Sequence, residues 1–371
     1  MELFLNEQQT LFADSAAKFA KDRGGPRRAR AQRNSGSELD REAWAGVITS
    51  GLLTTMVREA HGGLGLGATD LALTVEECGK QLLMIPLVEA GAAAWALSRM
   101  GAAAAIQDLL GGAKLIVPAT FAESWRFPAA AGPRGMHFSS DAGTLDGEVE
   151  PVSFAGSADA FLVDGEAPSR ERCLAMVPAA RLTINTRRNV DGSTSSRLAA
   201  AASSLDAVET QVRGDAAQHI GQRMQELLVL WTSVELLGVA QGALDMTSEY
   251  LKLRKQFGKP IGSFQALQHR VVDCFVDLEL NRSLVYRVLA AWDAGDCDPA
   301  MVSACKARIS RGALSTVRTT VQLHGAIGYT DEHDIGLYFK RAVSLAAKFG
   351  NEICHIDSFS ALTACEHARR S

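Results

Sequence analysis

Between Tyr250 and Gln265 the chain reads YLKLRKQFGKPIGSFQ. Apolar residues at helical spacing run into this stretch, a Gly–Pro break interrupts them, and a second helix is predicted to begin beyond the break. Arg254 stands just before the break. A planar guanidinium can give two parallel charge-assisted hydrogen bonds to one acidic group. The alternative interpretation is an ordinary corner between two helices with a surface arginine.

A second glycine-containing stretch lies downstream, from Val321 to Asp334, and reads VQLHGAIGYTDEHD. Gly325 and Gly328 follow a run of helical periodicity. Glycines let a backbone approach a ligand closely, as they do in dinucleotide sites. Gly325 alone would equally fit the cap at the end of a helix.

Together the two stretches resemble the R-x-Q-F-G-x-P-I-x-x-F-Q and Q-x-x-G-G-x-G-[YF]-T segments of the acyl-CoA dehydrogenase family, in particular its divergent small-subunit branch. The resemblance implies that Arg254 pairs with the FAD pyrophosphate of a neighbouring subunit and that Phe257 packs on the cofactor. It also implies that the remaining cofactor-binding residues are Gln256, Gln265, Gln322, Gly325 and Gly328. Any three of these matches would fit a helix corner, whereas the whole set favours the family.

Weaker matches extend the resemblance along the chain. The stretch from Glu59 to Leu66 resembles the family's glycine-rich turn, with Arg58 in place of a proline. Leu145–Glu148, followed by Ala158 and Asp159, resembles a pair of family strands. The resemblance therefore covers all parts of the chain.

The periodicity of the sequence changes twice, which divides the chain into three predicted domains. Residues 1–113 are predicted to be helical, with Asn6 as the first N-cap, residues 114–212 to form a small β domain, and residues 213–371 to be helical again. The fold class is α+β and acyl-CoA dehydrogenase-like, with a middle barrel or sandwich and a C-terminal four-helix bundle. The strands are expected at 115–121, 136–140, 160–163, 173–177 and 182–186.

Composition narrows the class of protein further. The 371 residues carry a formal net charge of −4, which argues against nucleic acid as a partner. No run of apolar residues is long enough for a membrane span, and the N-terminus lacks the positive charge of a signal peptide, so we expect a cytoplasmic protein. The seven cysteines are far apart and no histidine has metal-ligand spacing, so no metal site is predicted.

The catalytic base is the main departure from the family. The family reaction removes a proton next to the thioester and sends a hydride to flavin N5, which requires a carboxylate opposite the flavin. Alignment of Lys340–Ala342 with the family's R-D-A places Phe349 at the usual base position. The other family position for a base, twenty-six residues before Arg254, is occupied here by Leu228. Both positions lack a carboxylate.

Two glutamates remain near Leu228, namely Glu226 and Glu235. Glu235 lies about two helical turns beyond Leu228 on the same face, and Glu235–Gly238 resembles an E-x-x-G segment of small-subunit-type members. Glu235 is therefore the candidate base. The alternative is a carboxylate that serves helix packing or a salt bridge.

Other segments that line a family member's own site are also altered. The family's D-x-x-R, whose arginine helps hold acyl-CoA, aligns with Glu226–Val229, and two flavin-facing segments appear as Ala122–Trp125 and Pro151–Ser153. In contrast, the segments around Arg254 and Gln322, which the family donates to a neighbour, are retained. This pattern predicts one subunit of a mixed assembly in which a partner chain completes the site.

The resemblance implies a dehydrogenase that introduces a 2,3-double bond into an acyl-CoA thioester of a bulky, cyclic or dicarboxylic acid. It implies a dimer or tetramer, made of this chain or of this chain and a related one, with an electron-transferring flavoprotein as electron acceptor. Two alternatives remain open. The chain is a catalytically degenerate scaffold for an active relative, or it is a flavoenzyme of the same fold with other chemistry, such as an oxidase, monooxygenase or desulfinase.

Two further groups of residues are assigned no chemistry. His61, His269, His324 and His355 show no triad-like grouping. Arg27, Arg28, Arg30 and Arg33 are expected to form a solvated basic edge.

Overall fold

The computed structural model of the chain describes residues 6–120, 135–139, 144–167, 169, 171–204 and 211–370. Its α-helices are α1 Glu7–Arg23, α2 Pro26–Ser35, α3 Arg41–Thr49, α4 Ala68–Lys80, α5 Leu87–Met100, α6 Ala103–Leu110, α7 Gly214–Leu253, α8 Gln265–Ala294, α9 Pro299–His324, α10 Ile335–Ala347 and α11 Glu352–Arg370. Its strands are β1 Ile116–Ala119, β2 Gly135–Ser139, β3 Thr144–Val152, β4 Ala160–Glu166, β5 Arg172–Pro178, β6 Thr183–Arg188, β7 Thr194–Ser204, β8 Gln211–Arg213, β9 Lys255–Gln256 and β10 Lys259–Pro260. The order of helices, strands and helices agrees with the predicted α+β class.

The chain forms two compact units. One contains residues 1–35, 68–84 and 229–371, and the other contains residues 36–67 and 85–228. Helices α1, α2 and α4 thus belong to the same unit as α8–α11, although they precede the strands in sequence. The predicted domain boundaries at residues 113 and 212 stay a prediction.

The first unit consists mainly of long helices. As predicted, Asn6 caps α1: its Oδ1 accepts a hydrogen bond from Gln9 N at 2.8 Å, and Gln9 Oε1 accepts one from Asn6 N at 3.3 Å. Helix α9 begins at Pro299 after an Asp298 cap and packs against α8, α10 and α11. This arrangement brings the ends of α7 and α9 into the same unit.

The second unit contains an eight-stranded mixed sheet with the strand order β6-β7-β3-β2-β4-β5-β8, to which β1 is added by parallel pairing with β4. Strands β4 and β5 are buried along nearly their whole length. The start of α7 is attached to this sheet because Gln225 Nε2 donates a hydrogen bond to Asp164 Oδ2 at 2.9 Å. The expected strands are present wherever the structure describes them, while residues 121 and 140 lie outside the described residues.

Helix α7 extends over forty residues and is the core helix of the chain. By length and composition it is apolar enough to cross a membrane, but 94% of its apolar window is buried inside the protein. The apolar residues at helical spacing that precede Tyr250 lie on this helix, as the sequence predicts. Its C-terminal end leads directly into the first of the two sequence motifs.

Candidate functional site

The first motif folds into a small hairpin at the end of α7. Strand β9 pairs antiparallel with β10, and Ile261 N donates to the carbonyl of Arg254 at 2.8 Å, which closes the loop. Phe257 and Gly258 occupy the two tip positions with φ of +55° and +80°. Two positive φ values suit a two-residue hairpin turn, but they are unfavourable for a bulky residue such as Phe257. We call residues 254–261 the Arg254 hairpin.

The predicted binding side chains of the Arg254 hairpin lie on the surface, where the Phe257 ring contacts the Phe264 ring edge-on with centroids 6.0 Å apart. Arg254, Gln256 and Phe257 are exposed, and 89% of the Phe257 surface is accessible. Gln265, the first residue of α8, is also exposed. In the described part of the chain the Arg254 guanidinium has no carboxylate partner. An exposed aromatic ring on a strained backbone, next to an arginine with no acidic partner among the described residues, is an arrangement that suits a binding surface.

The second motif forms the end of α9 and the turn that follows. Gln322 is exposed on the last turn of α9, and Gly325 ends the helix at φ +66° with open space where a Cβ would lie. A Cβ on Gly328 would lie 2.6 Å from the carbonyl oxygen of Val321, so this position requires glycine. We call residues 325–330 the Gly325 turn. Gly325 is half-buried and has open space beside it, whereas Gly328 is buried.

An aromatic cluster joins the two motifs. The Tyr250 ring, one turn before Arg254, stacks on the His324 ring with centroids 4.4 Å apart and planes 25° apart. The His333 ring lies 4.6 Å from His324 and 6.1 Å from Tyr250. His324 was expected to belong to no triad-like grouping, and no contact of Tyr250 or His333 with it was predicted. The structure brings the three together, and spacing along the chain gave no signal of this contact.

Side chains of α2 also bind the loop that follows the Gly325 turn. Arg33 donates to both carboxylate oxygens of Asp331, at 2.9 and 2.6 Å, and Lys340 Nζ donates to Asp331 Oδ1 at 2.7 Å. Arg30 Nη2 donates to Asp334 Oδ1 at 2.8 Å. Hydrogen bonds from Arg33 and Lys340 hold the pKa of Asp331 well below its usual range. The expectation of a merely solvated basic edge is therefore wrong for Arg30 and Arg33.

Glu235 lies elsewhere on α7, inside the core of the helical unit. Only 7% of its surface is exposed, and its carboxylate accepts hydrogen bonds from Nε of Arg341 at 3.1 Å and from Nη2 of the same residue. Arg341 is likewise buried. Along α7, Glu235 is about 22 Å from Tyr250, since each residue adds ~1.5 Å. This geometry favours the alternative interpretation of Glu235 as a salt-bridge carboxylate.

The two usual base positions are buried and apolar. Leu228 is 1% exposed and Phe349 is 9% exposed. Glu226 is not free to act as a base, because it accepts hydrogen bonds from Arg223 at 2.9 Å and from Gln222 at 3.2 Å. The altered segment 122–125 lies outside the described residues. Within the described residues, the structure offers no exposed carboxylate at either usual position.

Two buried basic side chains fix the backbone around Phe349. Lys306 Nζ donates to the Leu345 carbonyl at 2.7 Å, and His355 Nε2 donates to the Phe349 carbonyl at 2.9 Å in its neutral tautomer. Burial lowers the pKa of Lys306 to about 7 and that of His355 to about 4. The turn at Phe349, with φ +56°, is thus anchored to α9 and α11.

The residues around the two motifs fit a dinucleotide diphosphate. They supply an exposed guanidinium with no acidic partner among the described residues, an exposed aromatic ring, and an open glycine backbone after a helix. No structural feature in the described ranges suggests a metal instead: no group of three His, Cys, Asp or Glu residues could hold one there.

Comparison with known proteins agrees with this arrangement. The family model for the acyl-CoA dehydrogenase N-terminal domain matches residues 6–113, and the model for the C-terminal domain matches residues 230–358. Acyl-CoA dehydrogenase IpdE2 of Mycolicibacterium smegmatis is 29% identical over 349 residues, which is 93% of this chain and 96% of that protein. Acyl-CoA dehydrogenase FadE27 of Mycobacterium tuberculosis is 28% identical and covers 82% of this chain and 83% of its own length.

Solved structures show the same fold. A variant of the Tcur3481–Tcur3483 steroid ACAD has a TM-score of 0.86 and 27% identity over 98% of this chain and 99% of its own. A chain of the ChsE4–ChsE5 complex from Mycobacterium tuberculosis has a TM-score of 0.88 and 23% identity over 98% of this chain and 99% of its own. The two family models together match more than half of the residues, and this chain belongs to the acyl-CoA dehydrogenase family.

Proposed function

We propose that the chain is one subunit of an FAD-dependent acyl-CoA dehydrogenase that introduces a 2,3-double bond into an acyl-CoA thioester. The observation that carries the proposal is Arg254, which is exposed on the strained hairpin at the end of α7 and has no acidic partner among the described residues. When bound, FAD supplies the acceptor for the hydride. The family membership of the chain supports the reaction class.

In this proposal the chain's residues act mainly by binding. Arg254 pairs with the cofactor diphosphate, Phe257 covers an apolar part of the cofactor, and Gln256 and Gln265 donate from the base of the hairpin. Gln322 and the open backbone at Gly325 receive the adenosine-diphosphate half, and Gly328, which is buried against Val321, allows the turn to form beside it. None of these residues moves a proton, so the base must be found elsewhere.

We assign the base to a related partner chain rather than to Glu235. A carboxylate that is already hydrogen-bonded to a buried guanidinium would have to break that pair before accepting a proton. The usual base positions, Leu228 and Phe349, cannot accept one. The proposal is therefore a mixed assembly in which this chain contributes the Arg254 hairpin to a site that its partner completes. The similarity to the ChsE4–ChsE5 complex, and to the steroid ACAD that carries the double name Tcur3481–Tcur3483, supports this proposal.

Exposed apolar side chains on the last helices support an oligomer. On α8 they are Val272, Phe275, Val276 and Leu280, and on α11 they are Ile353, Ile356, Phe359 and Leu362. A soluble monomer rarely exposes such contiguous apolar rows, so a dimer or tetramer is expected.

Substitution of Arg254 tests the cofactor role. We expect Arg254→Gln to raise the dissociation constant of FAD in the assembly by roughly tenfold to a hundredfold, because charge-assisted hydrogen bonds contribute about 1.5–3 kcal/mol. Arg254→Lys should recover only part of the loss, since an ammonium group cannot donate two parallel bonds. Arg270→Gln, which removes an exposed arginine from α8, serves as the control. Unchanged FAD affinity in Arg254→Gln would refute the role.

Anaerobic bleaching by acyl-CoA distinguishes the alternatives. A dehydrogenase loses its flavin colour when a suitable acyl-CoA is added and regains it with an electron-transferring flavoprotein as acceptor. If the chain is a scaffold, its assembly either binds no flavin at the sites that this chain forms or keeps its flavin colour when acyl-CoA is added. A desulfinase or an oxidase would differ from a dehydrogenase in the product that it forms or in its electron acceptor. One relative, which is 41% identical over only 95 residues, is named 3-sulfinopropanoyl-CoA desulfinase.

The substrate class is proposed to be a bulky, ring-bearing acyl-CoA. The support is the similarity to the Tcur3481–Tcur3483 steroid ACAD. The bleaching experiment with a ring-bearing acyl-CoA and a short straight-chain acyl-CoA tests it: faster bleaching by the short chain would refute this class.

A further inference from the structure

The stack of Tyr250, His324 and His333 is not used by the proposed chemistry, yet it lies between the two proposed binding segments. Tyr250 is four residues before Arg254, and His324 is the residue immediately before Gly325. His333 follows the Gly325 turn. The three rings therefore connect the end of α7 with both sides of the turn.

The two imidazoles are held by different contacts, and each contact or its surroundings disfavours an added proton. His324 is 3% exposed; its Nδ1 donates to the carbonyl of Thr320 at 2.8 Å, and its buried Nε2 has no hydrogen-bond partner among the described residues. His333 Nδ1 accepts a hydrogen bond from Ile335 N at 3.1 Å, at the start of α10. A proton on His324 Nε2 would place a charge in the buried stack. A proton on His333 Nδ1 would break the hydrogen bond at the start of α10.

We propose that Tyr250, His324 and His333 are positioning residues that hold the Arg254 hairpin and the Gly325 turn in one arrangement, so that both reach the same dinucleotide. The identity of the ligand in this inference rests on the proposed function. The claim that the stack holds the two segments together does not. Ring stacks of this kind contribute beyond their buried area, and here they join segments that lie more than seventy residues apart in sequence.

Ion pairs around the stack also stabilise the loop that follows the Gly325 turn. The charged groups around it are Asp331 and Asp334 on the loop, Arg30 and Arg33 on α2, and Lys340 on α10. The ion pairs are partly exposed and weaken in high salt, whereas the stack weakens in acid. Burial, together with the neighbouring His333, lowers the pKa of His324. The arrangement should therefore loosen as the pH falls below about 6.5, the ordinary pKa of histidine.

Hydrogen exchange of the full chain tests the structural part. In Tyr250→Leu we expect the protected backbone amides of residues 325–337 to exchange roughly threefold to tenfold faster, although Tyr250 lies on another helix. Tyr250→Phe should behave like the wild type, because the hydroxyl makes only a 3.5 Å contact with the carbonyl of His324. His219→Gln, an exposed histidine on α7, is the control. Unchanged exchange in Tyr250→Leu would overturn the proposal.

The dissociation constant of FAD in the assembly tests the functional part. We expect Tyr250→Leu to raise it by a similar factor, Tyr250→Phe to leave it unchanged, and its rise in acid to become smaller in His324→Gln. Faster exchange with unchanged FAD affinity would overturn the positioning role. If the wild-type assembly binds no FAD, the proposed function fails, and the exchange result alone then decides whether the stack joins the two segments.

Discussion

Glu235 and Arg341 form a buried ion pair whose removal distinguishes a structural carboxylate from a catalytic one. Glu235→Gln leaves the buried guanidinium without this carboxylate, so we expect the free energy of unfolding of the chain to fall by about 3–5 kcal/mol. Urea unfolding measures the change. The double variant Glu235→Gln with Arg341→Met should recover most of the loss, because it removes both charges.

The opposite outcome would support the base. If Glu235→Gln leaves the unfolding midpoint unchanged but abolishes bleaching of the flavin by acyl-CoA, Glu235 is the proton acceptor and the partner chain is not needed for this step. The two measurements are made on the same protein, so stability and chemistry are separated directly.

His355 makes the stability of the chain depend on pH. Burial lowers its pKa to about 4, against 6.5 in the unfolded chain, with a smaller effect of Lys306 in the same direction. Between these values the unfolded chain binds the extra proton, so its contribution to stability is complete above pH 6.5 and is lost as the pH falls towards 4. The expected slope is at most about 1.4 kcal/mol per pH unit.

Unfolding at several pH values checks this expectation. His355→Gln retains a donor for the Phe349 carbonyl and should flatten the slope between pH 6.5 and 4, whereas His269→Gln, at an exposed position, should leave it unchanged. An unchanged slope in His355→Gln would show that other groups cause the acid sensitivity.

At the residue scale, local sequence patterns marked the exposed residues of the two motifs, whereas they did not mark the contacts of the buried polar residues. Arg254, Phe257 and Gly325 carry a local pattern, and the backbone conformations at Phe257 and Gly325 agree with it. The partners of Glu235 and His324, in contrast, lie 106 residues away in sequence for Arg341 and 74 residues away for Tyr250. No local pattern reports such contacts, because only the folded chain brings these residues together.

Helices α4 and α7 pack unusually closely at three glycines. A Cβ on Gly238 would lie 2.0 Å from the carbonyl oxygen of Glu76, and a Cβ on Gly79 would lie 2.2 Å from that of Glu235. We expect Gly238→Ala to push the helices apart and to lower the free energy of unfolding by about 1–3 kcal/mol. The third glycine, Gly242, approaches the carbonyl of Lys80 in the same way.

Gly336→Ala in α10 is a matched control for this prediction. Its Cβ would have only an ordinary contact of 3.8 Å, so the helix should gain about 0.5–1 kcal/mol from the better helix former. Thermal or urea unfolding of both variants gives the comparison. Equal effects of the two substitutions would contradict the close-approach interpretation.

At the element scale, helices were easier to predict than the strands of the sheet. Strand β7, from Thr194 to Ser204, was not expected, although its buried residues alternate as Thr194, Ser196, Leu198 and Ala200. Three of these are small or polar, so their alternation carries little hydrophobic signal. Helices α7 and α9 have long apolar faces, so the spacing of their apolar residues alone predicted them.

At the scale of the whole molecule, the family motifs that the chain retains lie on its surface, whereas the two positions that lack the family's base are buried. The Arg254 hairpin and the Gly325 turn are exposed, as a neighbour's cofactor would require, while Leu228 and Phe349 occupy the base positions. Sequence predicted this distribution through family resemblance. It did not predict the division of the N-terminal helices between two compact units, because that depends on contacts made after α7.

The central claim, that this chain completes a shared flavin site, is tested most directly by the flavin content of the chain purified alone and together with its partner chain. The visible absorption spectrum gives the ratio of bound FAD to protein in each sample. We predict no stable flavin band for the chain alone and a full band for the assembly, at one FAD for each pair of chains. A chain that alone holds one FAD per protomer and is bleached by acyl-CoA would contradict the account.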